Sequence, residues 1–198
     1  MDDPATIAIA YRLPLAVDAL ALARDADRLG PDDWVLHFNT RYFEGDWSGA
    51  AFRAPGGNAQ RLYPDLTGRL AFADTPLMAR CPAVAELVGR FACPLAAVRF
   101  LRLGPGARIL PHRDYDLGFD RGEVRVHVPV RTDPAVRFIV GGTALAMQPG
   151  EAWYADFGLT HEVENRSATA RIHLVLDCGV NDWLRAQLAG ASAVVARP

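Results

Sequence analysis

Two histidines and an aspartate set the first chemical question in this chain. In "ILPHRDYD", Ile109 to Asp116, His112 stands two residues before Asp114, and His161 follows 49 residues after His112. If the run is extended, side chains two apart project to the same face, so His112 and Asp114 point the same way. Two imidazoles and one carboxylate on one triangular face of an octahedral metal leave the opposite face open for a chelating group and for dioxygen. That is the facial triad of non-haem Fe(II) oxygenases. Neutral imidazole holds Fe(II), one carboxylate offsets charge, and three ligands keep positions free. The H-x-D tripeptide alone is a short motif that chance supplies readily. The plain alternative is a hydrogen-bonded surface pair, with His161 in a cap or the core.

The surroundings separate the two readings. Ten residues after His161 comes Arg171, in the otherwise apolar strand-like run "ARIHLVLD". A charge buried there needs an anionic partner. The guanidinium fork matches a carboxylate, so the far end of a dicarboxylate cosubstrate would meet that need. In "VRVHVPV", Arg125 and His127 share one face while Val126, Val128 and Val130 take the other. Cationic groups near a metal make a place for carboxylates; the alternative for each is an arginine on a solvent-facing strand.

These side chains need a frame that holds strands side by side. From Ala97 on, short β-rich runs alternate with turn residues: "VRFLRL", "ARILPHRD", "VRVHVPV", "VRFIVGG", "TALAMQPG", "EAWYADFG", "HEVEN" and "ARIHLVLD". Such a train predicts a sandwich or barrel. Gly104-Pro105-Gly106, Gly141-Gly142 and Pro149-Gly150 supply the reversals. Upstream, Leu15, Ala19, Leu22, Ala26 and Leu29 at helical spacing predict a helix from Pro14 to a stop at Gly30-Pro31. Val84, Leu87, Val88 and Phe91 predict a second helix in "PAVAELVGRFA". Between them "DWVLHFNTRYFEGDWSG" reads as strand and loop, with Asn39, Tyr42 and Trp47 as candidates for a lid or for packing. "NDWLRAQLAG" predicts a short helix capped by Asn181, followed by a tail expected to fray. The division is one domain: a helical or mixed layer over 1–96, a β core over 97–178, and a short helix and tail over 179–198.

Composition narrows the partners. With 198 residues, 51% hydrophobic and 22% charged, the chain has the material for one well-filled core. A net charge of -2 exerts no general pull on nucleic acid or anionic membrane. Three cysteines, Cys81, Cys93 and Cys178, without C-x-x-C, argue against a disulfide framework or thiolate zinc site and fit a reducing cytoplasm. The acidic N-terminus and the lack of a long apolar run predict a soluble, unexported protein.

The pieces "ILPHRDYD", "EVRVHVPV", "GEAWYADFGLTHEVENRS" and "ARIHLVLD", in that order and spacing, resemble the aspartyl/asparaginyl β-hydroxylase family of Fe(II)- and 2-oxoglutarate-dependent oxygenases. The bacterial proline hydroxylase branch is the most similar. The likeness covers residues 97 to 178, with a weaker echo in "HFNTRYFEGDWSG". It implies a double-stranded β-helix, a jelly-roll and cupin-like core with flanking N-terminal helices. It implies that His112, Asp114 and His161 bind iron and act in catalysis, that Arg171 grips the far carboxylate of 2-oxoglutarate, and that His127 also touches the cosubstrate. Arg125 is assigned to a substrate carboxylate. The implied reaction uses O2 to hydroxylate an unactivated carbon of an amino acid, free, N-acylated or in a peptide, releasing succinate and carbon dioxide.

Two departures from the family pattern stand out. A polar cosubstrate contact of some relatives falls near Leu101, which passes that contact to Arg99 or Arg102. The chain also ends soon after the core, without the C-terminal extension that free-proline hydroxylases carry over the site, which points away from proline itself. Competing readings keep the jelly roll but make it a non-catalytic anion-binding module, or a cupin-type metalloenzyme needing no cosubstrate. Arg171 at the clamp position has no use in the latter. Oligomeric state is not legible at this level.

Overall fold

Alternation along the long strands decides which layer each side chain meets. In the strand Glu123–Arg131, Val124, Val126, Val128 and Val130 are buried against a helical layer, while Arg125 and His127 turn to the opposite side. In the strand Arg171–Gly179, Ile172, Leu174, Leu176 and Cys178 join the same helix-side core. Arg171, His173, Val175 and Asp177 therefore face the other way, because the side-chain period of a strand is two.

The computed structural model describes residues 8–63, 67 and 69–195. Among these residues fourteen strands run in chain order: β1 Ala8–Leu13, β2 Val35–Leu36, β3 Phe43–Glu44, β4 Trp47–Pro55, β5 Phe72–Asp74, β6 Leu95–Leu103, β7 Arg108–His112, β8 Glu123–Arg131, β9 Val136–Val140, β10 Thr143–Ala144, β11 Ala152–Ala155, β12 His161–Asn165, β13 Arg171–Gly179 and β14 Ser192–Val195. Nine form one sheet in the order β14-β1-β11-β8-β13-β6-β4-β2, with β5 on β4; five form a second, in the order β10-β9-β12-β7-β3. Between them lies a core of Phe43, Trp47, Leu103, Ile109, Phe138, Val140, Trp153, Phe157, Val163 and Val175. This is the expected jelly roll. Gly141 and Gly142, at φ 54° and 79°, make the two-residue reversal between β9 and β10, where both central residues need positive φ.

Four helices cover the outer face of the large sheet: α1 Ala19–Asp27, α2 Pro76–Arg80, α3 Pro82–Val88 and α4 Asp182–Ala189. Helix α1 is shorter than its apolar spacing predicts. Asp18 caps it by accepting the Ala21 N–H at 2.9 Å, so Leu15 lies ahead of the helix. Asp25, buried on α1, accepts the Val84 N–H at 3.0 Å and so satisfies an orphan donor at the start of α3. Leu22 and Val84 close this layer over the valines of β8; truncating Leu22 to alanine should cost about 2–5 kcal/mol. Asn181 caps α4 as expected, accepting the Leu184 N–H at 3.0 Å.

Residues before 97 contribute β1 and β4 to the large sheet as well as α1, α2 and α3. Two expectations are corrected. In the tail expected to fray, β14 pairs with β1, where edge backbone groups find partners, and residues 196–198 lie outside the described residues. The "TALAMQPG" run keeps only two residues of strand. Among the described residues no helix is long and apolar enough to cross a membrane.

Candidate metal centre and its cavity

Strand pairing brings the triad together. His112, the last residue of β7, is the register partner of His161, the first residue of β12, and their ring centroids lie 4.2 Å apart. Asp114 stands just beyond the end of β7, not within it, and its N–H donates to the Phe157 carbonyl at 2.9 Å. One ligand atom from each of His112, Asp114 and His161 falls within 4.8 Å of the others, and this is the one such cluster among the described residues.

Both imidazoles are pre-oriented. Nδ1 of His112 is 2.8 Å from the Leu110 carbonyl and Nδ1 of His161 is 3.0 Å from the Leu159 carbonyl. A carbonyl can only accept, so each Nδ1 carries the proton and each Nε2 keeps its lone pair for a metal. Burial lowers the His161 pKa and so favours the neutral, ligating form, although the Leu159 carbonyl opposes that shift. The donor set suits Fe(II): two neutral nitrogens and one carboxylate, with room left for three further ligands.

All six side chains singled out in the sequence line one narrow cavity of about 50 Å³: His112, Asp114, His161, Arg125, His127 and Arg171. Trp47, Leu101, Ile109, Phe138, Phe157 and Val163 complete its walls. Deep in it, Arg171 is 2% exposed, and its Nη2 donates to Nδ1 of His173 at 2.7 Å. Its Nε has no hydrogen-bond partner, and no carboxylate among the described residues is paired with it. Burial alone pulls its pKa down to about 9. Since the guanidinium cannot accept, Nδ1 of His173 does, and burial and then Arg171 hold His173 far below the usual histidine range. His127 lies 3.3 Å from His173 between Nδ1 atoms and is likewise held neutral, by burial first and Arg171 second.

Arg125 occupies a different setting. The expected partner was a substrate carboxylate, whereas the structure shows two of the protein's own. Nη1 donates to Oδ2 of Asp114 at 2.6 Å, and Nε and Nη2 donate to Oδ1 and Oδ2 of Asp177 at 2.6 and 3.2 Å. Arg99 completes the group with a 2.8 Å bond from Nη1 to Oδ2 of Asp177. Burial would raise the Asp177 pKa, but Arg125 and Arg99 outweigh it and hold the carboxyl well below its ordinary range.

Asp177 and His173 are residues the sequence reading missed as site groups. Both lie in "ARIHLVLD", at the same period of two that placed Arg171, so the strand pattern already pointed to them. Of the two arginines suggested in place of a polar residue at Leu101, Arg99 faces the interior. Arg102 instead bonds Ser48 at 3.1 Å and covers the Trp34 ring. Trp47 is buried against His37, with ring centroids 3.4 Å apart, whereas Tyr42 is exposed with its ring 5.4 Å from that of His112. Trp153 and Tyr154 pack into the cores on opposite faces of the large sheet.

A family model described as aspartyl/asparaginyl β-hydroxylase matches residues 22–179. The chain belongs to that family. It is 30% identical over 167 residues to an L-proline cis-4-hydroxylase from Rhizobium meliloti (strain 1021), covering 81% of this chain and 57% of the relative. It is 26% identical over 192 residues to L-proline cis-3-hydroxylase 1 from a Streptomyces species, covering 93% and 64%. The chain thus spans less than two thirds of the length of either curated relative. In fold it is similar to a prolyl-4-hydroxylase from Pseudomonas putida, with a TM-score of 0.53 at 14% identity over 88% of this chain and 94% of that one.

Proposed function

We propose that this member of the aspartyl/asparaginyl β-hydroxylase family is an Fe(II)- and 2-oxoglutarate-dependent dioxygenase that hydroxylates an unactivated carbon of an amino acid, free, N-acylated or within a peptide. One observation carries the reading: the guanidinium of Arg171 is buried with no carboxylate partner among the described residues, in the same cavity as a complete two-histidine, one-carboxylate donor set. A buried cation without a counter-ion is costly, and a dicarboxylate spanning from metal to arginine removes that cost.

His112, Asp114 and His161 would hold the iron, which when bound splits dioxygen at the expense of oxidative decarboxylation of the keto acid and delivers oxygen to a C–H bond. The chain supplies position. Arg171 grips the distal carboxylate of 2-oxoglutarate, with His173 fixing Nη2 and His127 walling the passage between. Apolar walls from Leu101, Phe138 and Phe157 exclude water, and the fixed cavity holds the substrate carbon in place. Arg125 uses three of the five N–H groups of a guanidinium on Asp114 and Asp177, which leaves two for a substrate carboxylate. A cytoplasmic setting and a small amino-acid or peptide substrate belong to the same proposal.

The decisive experiment is an anaerobic titration with Fe(II) and 2-oxoglutarate, watching for the charge-transfer absorption of a chelated keto acid, then a screen of amino acids and peptides for stimulated succinate release. Absorption without succinate from any substrate favours an anion-binding module. Turnover that ignores 2-oxoglutarate favours a cupin-type metalloenzyme.

A further inference from the structure

The two oxygens of Asp114 have different neighbours. Oδ2 accepts from Nη1 of Arg125 at 2.6 Å, while Oδ1 lies 3.9 Å from Nε2 of His112. Oδ1, free of Arg125 and on the His112 side, is the oxygen better placed to face a metal. Arg125 is itself held in place by Asp177, its register partner across the β8–β13 pair, through two hydrogen bonds in a fork. Asp177 is 3% exposed, and Arg99 on the neighbouring β6 ties down its second oxygen. Two guanidiniums meet one carboxylate there, so one positive charge remains for Asp114.

We propose that Asp177 is a positioning residue for the metal centre: acting through Arg125, it keeps one oxygen of Asp114 occupied, so that this carboxylate gives the metal a single bond. This rests on the assignment of His112, Asp114 and His161 as ligands. A carboxylate can bind a metal through one oxygen or two. An octahedral ion with three protein bonds has three positions left, two for a chelating keto acid and one for dioxygen; a fourth protein bond takes the last of them. The Asp177–Arg125 fork guards against that fourth bond. Charge alone would not do so, because a point-like ammonium lacks the planar fork that spans two carboxylates at fixed angles.

Cobalt(II) tests this in the full chain without turnover, because its d–d absorption reports the ligand set and the geometry around the ion. The proteins to compare are wild type, Arg125→Lys, Asp177→Asn, and the charge-balanced double variant Asp177→Asn/Arg99→Met, which serves if the single Asp177 change does not fold. Wild type should bind cobalt(II), and the folded variants should bind it with a changed d–d spectrum in the presence of 2-oxoglutarate. With Fe(II), kcat should fall about tenfold or more while the KM for 2-oxoglutarate stays within about twofold. An unchanged cobalt spectrum in folded Arg125→Lys and in a folded Asp177 variant overturns the proposal, whatever the activity. Failure of the wild-type protein to bind either metal overturns the ligand assignment instead.

Discussion

Arg171 and Arg125 lie on the same face of one sheet, in one cavity, and their surroundings are opposite. Arg125 meets two carboxylates, and their attraction outweighs burial so that its pKa rises. Arg171 meets a neutral imidazole and an aromatic ring, 5.3 Å from the centroid of Phe138, and burial lowers its pKa to about 9. Charge met within the fold is stabilised there; a buried charge left unmet stays costly until a counter-ion arrives. The candidate ligands His112, Asp114 and His161 line the same cavity as both arginines, so it has one end where charge is met and one where it is not.

Removing a candidate metal ligand should have the largest effect. His161→Ala should lower succinate formation by about a thousandfold or more while circular dichroism stays that of the wild type. Next comes the end where charge is met: Asp177→Asn leaves Arg99 and Arg125 sharing no buried carboxylate, and urea denaturation should show a loss of about 3 kcal/mol or more. At the other end the signs differ. Arg171→Met should raise the KM for 2-oxoglutarate about thirtyfold, equivalent to about 2 kcal/mol, yet leave the urea midpoint of the ligand-free protein unchanged or higher. A protein that unfolds on this change would show Arg171 to be structural too, and the contrast would be lost.

The smallest effect follows from pH. Burial lowers the Arg171 pKa to about 9 and so loosens its hold on the proton. Since only the cation grips a carboxylate, affinity for 2-oxoglutarate measured by calorimetry should hold through neutral pH and weaken, not strengthen, as pH rises into the alkaline range. Affinity that rises with pH instead would remove Arg171 from the cosubstrate end.

Legibility in the sequence followed the range of the interactions. The eight runs after Ala97 all contain strand, because alternating β-branched residues and positive-φ glycines act within a few residues of one another. The triad residues were readable by type and spacing, and the structure groups them. β1 and β14 went unseen because "AIAYRL" and "SAVV" are short and weakly alternating, and each is a strand only through its pairing with a distant partner. Asp177 was passed over as the end of an apolar run, since nothing local shows that two arginines, 52 and 78 residues away in the chain, converge on it.

By itself the sequence determined the inventory: which residues can ligate, which strand faces carry charge, and where the chain must turn, all of which depend on side-chain chemistry and the strand period. Tertiary structure alone decided the company each charge keeps. Arg125 and Arg171 look alike in their strands, an arginine among valines and an arginine among leucines. The register of β8 against β13 places Asp177 beside the first, the turn after β7 adds Asp114, and the second is left facing the cavity with no carboxylate among the described residues paired to it, because Coulombic interactions depend on distance in space and not along the chain.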